Sequence, residues 1–257
     1  MADLRWLKRI GDYEVVRREI PRPGGKPYYL NGSTQIGVLH TTEGDTVEAA
    51  WRTLRQHNSA PHFIAGEHKI VQCRPLNVQA STLRPGKNNT ANVHAQVQVE
   101  MVGRSKQKLW LPKAATLDPT VAILAFCQKA LGIPLRVPND WPDDCSDMPL
   151  PWAANNRRRR QAQRGLWPKE KGWWMHLEVP DQGPTWHWDC GAVRRARLLP
   201  LAGLLAPAIK PSEAAGSAEP EAEAGGDRPR GQTLLTTSKA GARLRGVAPV
   251  TRRGEVP

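Results

Sequence analysis

Several side chains that can bind a metal or transfer a proton lie together in one short segment. The segment WWMHLEVPDQGPTWHWDCG, residues 173 to 191, contains His176, His187, Asp189 and Cys190. Imidazole, carboxylate and thiolate groups are the protein ligands of zinc, and a catalytic zinc site commonly has three of them with one position open. The alternative is a tryptophan-rich surface loop with incidental polar residues. Because the segment supplies only part of a metal site, the zinc interpretation requires a further ligand elsewhere.

His40 is a candidate for that ligand because it closes a predicted buried strand. QIGVLHTT, residues 35 to 42, alternates into an apolar run, which is typical of such a strand. The end of a buried strand holds a side chain rigidly. A lone histidine at such a position is more often a core or turn residue. Whether His40 is a zinc ligand therefore depends on the order of the surrounding motifs.

Strands and helices are mixed over residues 33 to 200, which predicts one α/β domain with a central mixed β-sheet flanked by helices. The predicted elements are a helix over TVEAAWRTLRQH with a cap in Gly44-Asp45-Thr46, a hairpin of HFIAG and KIVQCRP with GEHK at its turn, a strand over 95 to 103, and a helix over 119 to 132. Alternation along the strand 95 to 103 places Gln98 and Glu100 on one face and Val97, Val99 and Met101 on the other.

Composition and charge restrict the class of protein. The 257 residues suffice for a large core, but 39% hydrophobic residues is low for a chain that is packed throughout. A formal charge of +13 favours polyanionic surroundings, either nucleic acid or an anionic cell envelope. The four cysteines form no close pair or regular framework, which argues against a disulfide scaffold and against a four-cysteine zinc knuckle.

Changes in composition predict three regions. Residues 1 to 30 form a polar, basic N-terminal arm, residues 31 to 204 the domain that carries the candidate ligands, and residues 205 to 257 a low-complexity tail that we expect to be disordered. The N-terminus lacks the apolar core of a secretory signal, and the apolar run 198 to 209 is shorter than the about 20 residues of a membrane-spanning helix. We therefore expect synthesis in the cytoplasm without a signal peptide, and no membrane insertion.

Four segments resemble, in order, the zinc-dependent N-acetylmuramoyl-L-alanine amidases, a family that includes the peptidoglycan recognition proteins. GVLHTTEG (37 to 44) resembles the family's first strand, and SAPHFIAGEHKIVQCRP (59 to 75) resembles its hairpin. VQVEMVG (97 to 103) resembles the family's IGIE strand, and MHLEVPDQGPTWHWDCG (175 to 191) resembles its ending. Coverage runs from about residue 33 to 195, and the last motif is the most specific.

The resemblance implies a zinc site formed by His40, His176 and Asp189. Cys190 stands where the family usually has proline, and some relatives use a cysteine as the third ligand, so Cys190 is the alternative to Asp189. Pro61 stands where some members have a catalytic tyrosine, which excludes the mechanism of that subtype. The segment 80 to 92 looks like the shorter form found in amidases of actinobacteria and their phages.

Two further positions match catalytic residues of the family. Glu100 falls where some members keep a glutamate that activates the zinc-bound water; without the resemblance, a solvent-facing strand carboxylate would be the commoner case. His187 falls where relatives carry a Lys or His suited to stabilising an oxyanion; its alternative is a surface histidine beside Trp188. The expected substrate contacts are Thr41, His62, Asn92 and Trp174.

The function implied by this resemblance is cleavage of the amide bond between N-acetylmuramic acid and the L-alanine of the peptidoglycan stem peptide. A phage-type endolysin acting at the bacterial wall fits the chain, and anionic wall polymers would attract its positive charge. A non-catalytic peptidoglycan-binding module of the same fold is the alternative, although the complete ligand set and Glu100 argue against it. A nucleic-acid binder is suggested by charge alone, with no recognisable binding motif.

Overall fold

The computed structural model describes residues 5–21, 34–83, 91–104, 112–138, 167, 169–179 and 195–209. The strands in these residues are β1 (Arg9–Ile10), β2 (Tyr13–Arg17), β3 (Ile36–Thr41), β4 (Phe63–Gly66), β5 (Lys69–Gln72), β6 (Val97–Met101) and β7 (Gly172–Met175). The helices are α1 (Val47–Gln56), α2 (Ala91–His94), α3 (Ala114–Leu131) and α4 (Arg195–Leu205), with 3₁₀ turns at His176–Glu178 and Ala206–Ala208.

The described strands form a single sheet in the order β1-β2-β5-β4-β6-β3-β7. Neighbouring strands in the run β4-β6-β3-β7 are parallel, whereas β1 pairs with β2 and β4 pairs with β5 in antiparallel fashion. The predicted α/β domain with a mixed sheet and flanking helices is confirmed. The predicted hairpin, the strands around residues 38 and 99, and the helix capped by Thr46 are also present.

The two faces of the sheet are covered by different elements. Helices α3 and α4 pack on one face, where Leu39, Val99 and Met175 belong to the main apolar cluster. The opposite face carries two smaller apolar clusters, one of which includes Ile64 and residues of α1, while the other includes Trp174. Because side chains alternate along a strand, the residues between these two smaller clusters lie on the face opposite α3.

The β4–β5 turn connects the sheet to helices on both faces. Glu67 and His68 have positive φ angles of 52° and 56°, the backbone of a two-residue type I′ turn. The Glu67 carboxylate accepts a hydrogen bond of 2.5 Å from the backbone N–H of Val47, the first residue of α1. The backbone N–H of His68 donates to the Ala115 carbonyl of α3 at 2.7 Å.

Helix α3 starts earlier than predicted. The sequence suggests a start at Pro119, but the helix begins at Ala114 and contains the proline. A proline inside a helix leaves the carbonyl four residues earlier without its usual donor. That carbonyl belongs to Ala115, and the His68 amide takes the place of the missing donor. The helix ends as predicted, with Gly132 at a φ of 70°.

The packed chain extends beyond the predicted domain boundaries at both ends. β2 pairs in parallel with β5, and Ile10 is fully buried, so part of the predicted N-terminal arm belongs to the sheet. At the other end, Ile209 is 2% exposed and lies in the main apolar cluster, and the Lys129 ammonium donates to its carbonyl. The predicted boundary after residue 204 therefore falls inside the packed region. Over the described ranges, no helix combines the length and the apolar character needed to cross a bilayer.

Replacing Gly37 by alanine should destabilise the domain. A Cβ atom at Gly37 would lie 2.4 Å from the ring of Trp173, its partner on β7, and this ring is fully buried. We expect Gly37→Ala to lower the free energy of unfolding in urea by about 1–3 kcal/mol, the usual cost of overpacking a core. Gly44→Ala is the control, because its Cβ would meet nothing closer than 3.6 Å. Equal stability of the two variants would contradict this account.

Truncation should locate the C-terminal boundary of the fold. Removing residues 210 to 257 should leave the free energy of unfolding unchanged, because that segment lacks the apolar periodicity of a core element. Truncation after Leu204 should lower it by about 2 kcal/mol, because the contacts of the buried Ile209 are lost. Urea denaturation of both truncated chains tests this, and equal midpoints would show that residues 205 to 209 contribute nothing.

Candidate functional site

Three predicted site residues come together at one edge of the sheet. His40 lies near the carboxyl end of β3 and is paired directly with Glu100 of β6. His176 follows β7 immediately, next to the pair that Met175 makes with Leu39. Because β6, β3 and β7 are parallel, their carboxyl ends meet at the same edge, the usual position of ligand sites in such sheets.

The imidazoles of His40 and His176 face each other through their Nδ1 atoms. These two nitrogens are 3.0 Å apart, and the ring centroids are 4.7 Å apart. The Oε1 atom of Glu100 lies 3.8 Å from Nδ1 of His40. His40 is 0%, His176 3% and Glu100 4% exposed, so all three groups are shielded from bulk water. The arrangement places two ring nitrogens and a carboxylate within reach of one small cation or of a shared proton.

The histidine pair fits two ligands of a tetrahedral zinc ion. Two nitrogens bound at about 2.0–2.1 Å with a tetrahedral angle are about 3.3 Å apart. The observed 3.0 Å therefore requires an adjustment of a few tenths of an ångström. Within the described ranges, no group of three or more His, Cys, Asp or Glu side chains is arranged to hold a metal. The described residues thus offer two imidazole nitrogens, and a complete zinc site would need a further donor.

The further donor predicted from the sequence lies outside the described residues. Asp189, its alternative Cys190 and the predicted oxyanion residue His187 all fall within 180–194. Cys73 and Cys127 do not replace them, because both are buried and unpaired, and burial raises the pKa of each thiol. A thiol kept protonated in this way is neither a good ligand nor a good nucleophile.

A polar chain of three buried side chains, Asn92, Gln98 and Thr82, lies behind His40. The Thr82 hydroxyl is 3.4 Å from Nε2 of His40 and is hydrogen-bonded to Gln98. Gln98 in turn donates to Asn92 at 2.9 Å. Thr82 had no distinguishing signal in the sequence, since one threonine in a polar loop resembles any other.

The residues predicted to contact substrate are buried. The Thr41 hydroxyl donates to Glu43 at 2.9 Å, and the Trp174 ring is fully buried and packs edge-on against Trp167. His62 accepts a hydrogen bond from the Gln98 backbone N–H at 3.1 Å, and its Nε2 lies 2.9 Å from the Val78 carbonyl. Asn92 belongs to the polar chain. Since their described contacts are within the protein, the expected substrate contacts stay predictions.

His62 serves the fold as a neutral ring. Burial, together with the nearby charge of Arg74, lowers the pKa of His62 to about 4, against the opposing effect of its bond to the Val78 carbonyl. The ring is therefore uncharged at neutral pH, with Nε2–H donating to Val78 and Nδ1 accepting from Gln98. It holds the start of β4 against β6 at the residue two positions before Glu100.

A buried ion pair that the sequence did not predict holds the turn bearing His176. Arg195, at the start of α4, bonds both carboxylate oxygens of Glu178, at 2.6 and 2.8 Å, and also donates to the Trp173 carbonyl. Glu178 accepts the backbone N–H of Met175 at 2.8 Å, across His176. Both charged residues are at most 1% exposed. Arg195 lies in a basic run in which most arginines would be expected on the surface, so its role had no local signal.

No protein-family model matches the sequence, and a search of curated proteins likewise finds no match. Among solved structures, the chain is similar to the Staphylococcus aureus hydrolase AmiA in complex with its ligand, at 12% identity over 75% of this chain and 84% of that one, with a TM-score of 0.42. It is similar to the catalytic domain of XlyA at 19% identity over 48% and 80%, with a TM-score of 0.35. It is also similar to peptidoglycan recognition protein-LE in complex with tracheal cytotoxin, at 18% over 44% and 72%, with a TM-score of 0.34.

Breaking the buried ion pair should destabilise the turn that carries His176. Arg195→Met leaves the Glu178 carboxylate buried without its partner, which typically costs about 3–5 kcal/mol. The double variant Arg195→Met/Glu178→Gln should regain much of this loss, because no charge is left unpaired and an acceptor for Met175 remains. Urea denaturation measures both variants. As a control, Arg104→Met at the exposed Asp45 pair should leave stability nearly unchanged. A double variant no more stable than Arg195→Met would refute this account.

Proposed function

We propose that this protein is a zinc-dependent peptidoglycan hydrolase that cleaves the amide bond between N-acetylmuramic acid and the L-alanine of the stem peptide. The observation that carries the proposal is the convergence of His40, His176 and Glu100, at the carboxyl ends of three adjacent parallel strands, into one buried group. Each was expected in this role from motifs that lie far apart in the sequence. The geometry supports the proposal because two ring nitrogens 3.0 Å apart, with a carboxylate 3.8 Å from one of them, lie within reach of one small cation.

The zinc ligands in this proposal are His40 and His176 through their Nδ1 atoms, with Asp189 as the third and Cys190 as its alternative. Two imidazoles and one carboxylate leave one of four tetrahedral positions for water or substrate, the pattern of catalytic rather than structural zinc. Asp189 and Cys190 are adjacent in the chain, and adjacent side chains rarely reach one metal together. The two residues are therefore alternatives and not joint ligands.

The proposed reaction assigns a separate role to each of a few groups. Bound zinc supplies Lewis acidity, which polarises the scissile carbonyl and makes water nucleophilic near neutral pH. Glu100, whose carboxylate lies 3.8 Å from Nδ1 of His40, takes the proton from the attacking water and delivers it to the leaving amine of L-alanine. His187 donates a hydrogen bond to the oxyanion that forms at the carbonyl. The burial of Glu100 keeps bulk water from competing for the proton.

The biological role proposed is that of a phage-type endolysin that acts at the bacterial cell wall and causes lysis of the host. Peptidoglycan is the partner, and the formal charge of +13 favours accumulation on the anionic polymers of the wall. This attraction is not specific and weakens with salt, so it concentrates the enzyme without selecting the bond that is cut.

Zinc content and product analysis test the proposal together. The purified chain should hold about one zinc, and His40→Ala and His176→Ala should each lose both zinc and activity, because two remaining ligands hold the metal poorly. Glu100→Gln should retain zinc and lose turnover by about 100- to 10,000-fold, the typical effect of removing a general base. Mass spectrometry of the fragments from purified peptidoglycan should show stem peptides with a free L-alanine amine. His57→Ala, at an exposed histidine, is the matched control and should change neither the zinc content nor the products released.

The third ligand is identified with two further variants. Asp189→Ala should lose zinc, whereas Cys190→Ser should keep zinc and most of the activity. The reverse result would assign the third ligand to Cys190. A wild-type chain that binds peptidoglycan without releasing fragments would point instead to a binding module, and full activity of His40→Ala would show that the site is elsewhere.

A further inference from the structure

We propose that the polar chain of Asn92, Gln98 and Thr82 fixes the His40 imidazole in its Nε2–H tautomer, so that its Nδ1 lone pair faces His176. The use of that lone pair to bind a cation rests on the proposed function. The tautomer itself follows from hydrogen-bond directions that begin at a backbone amide and can be traced one bond at a time.

The starting point is Asn92, whose orientation is set by Leu83. The backbone N–H of Leu83 can only donate, and it lies 3.1 Å from Oδ1 of Asn92. The Nδ2 group of Asn92 donates to the Leu83 carbonyl at 2.6 Å, so both ends of the amide are matched to the same residue. A flipped Asn92 would place two donors together at one end and two acceptors at the other. The Asn92 oxygen is therefore the atom directed at Gln98.

The orientation of the Gln98 amide in turn determines the direction of the Thr82 hydroxyl. Since Oδ1 of Asn92 carries no proton, the Gln98 atom 2.9 Å away must be its Nε2 donor. The Gln98 oxygen is then the atom that faces Thr82. A hydroxyl has one proton and two lone pairs, so Thr82 gives its proton to Gln98 and keeps a lone pair for a further donor.

His40 provides that donor. Its Nε2 atom lies 3.4 Å from the Thr82 oxygen, which has no proton left to give, so Nε2 must carry the hydrogen. In a neutral imidazole the other nitrogen is then unprotonated. That nitrogen, Nδ1, is the atom 3.0 Å from His176.

Burial makes the directions of these hydrogen bonds difficult to reverse. Gln98 is 0%, Asn92 4% and Thr82 8% exposed. The hydrogen bond from the backbone N–H of Gln98 to the His62 ring also fixes the position of β6. With water largely excluded, a reversed bond would leave polar groups facing each other without partners, which is costly in a protein interior. The lone pair of His40 is thus oriented before any cation arrives. Partners of this kind commonly change metal affinity about 10- to 100-fold when they are removed.

The tautomer can be measured in the full-length chain without metal. Long-range ¹H–¹⁵N correlation spectra at about pH 8, where an ordinary imidazole is neutral, show which ring nitrogen carries the proton. The His40 signals are assigned by their absence in His40→Ala. We expect the Nε2–H form in the wild type and in Thr82→Ser, which keeps the hydroxyl. Thr82→Val should give a mixture of tautomers and weaken zinc binding about 10- to 100-fold, measured by competition with a chromophoric chelator.

Two further variants separate positioning from general destabilisation. Thr120→Val removes another buried hydroxyl, bonded to the Thr116 carbonyl within α3, and should change neither the tautomer nor zinc affinity. Gln98→Met should reproduce the effect of Thr82→Val, and it carries the test if the valine variant does not fold.

The inference is overturned if wild-type His40 carries its proton on Nδ1, or if folded Thr82→Val and Gln98→Met keep the wild-type tautomer. The measured tautomer of His40 does not depend on whether the protein hydrolyses a substrate. A chain that shows the expected tautomer but releases no fragments from peptidoglycan would refute the proposed function and leave this inference in place.

Discussion

The parallel pairing of β6, β3 and β7 determines the position of each group at the site. Register sets His40 beside Glu100 and Leu39 beside Met175, and so directs the site residues to one face and the apolar residues to the other. A slip of one residue would exchange the two sets. The apolar cluster beneath α3 and α4 opposes such a slip, because it would have to accept charged and polar side chains. The core on one face therefore maintains the geometry on the other.

Polar groups near the site are satisfied by hydrogen bonds within the protein and not by contact with solvent. His62, Glu178 and the polar chain are each hydrogen-bonded to backbone groups. Buried polar groups of this kind are costly when unmatched, so they make alternative arrangements unfavourable. The surroundings of His40 and His176 are specified by hydrogen-bond direction as well as by packing, which suits the proposed zinc site.

The sequence predicted the parts of this structure that depend on local patterns. Strand alternation placed Glu100 on a face with Gln98, and the order of motifs selected His40 from other histidines that end strands. The early start of α3 was missed because it depends on the His68 amide, which lies far away in the chain and replaces the donor that Pro119 lacks. The burial of Arg195 was missed for a similar reason, since a charged residue is buried only when a distant partner such as Glu178 is available. What escaped prediction was contact between segments remote in sequence.

The pair formed by Glu178 and Arg195 has a consequence for how this protein can diverge. Glu178 and Arg195 lie on either side of residues 180 to 194 in the sequence, so the ion pair holds the two described ends of that segment together. Lengthening a segment whose ends are already held together costs little, about 0.6 kcal/mol of closure entropy for each doubling of a flexible loop. Insertions and deletions between these two residues, away from the proposed site residues His187, Asp189 and Cys190, could therefore accumulate during evolution without displacing the sheet or His176. A lineage could change the length and composition of this part of the chain while the rest of the domain stayed unchanged.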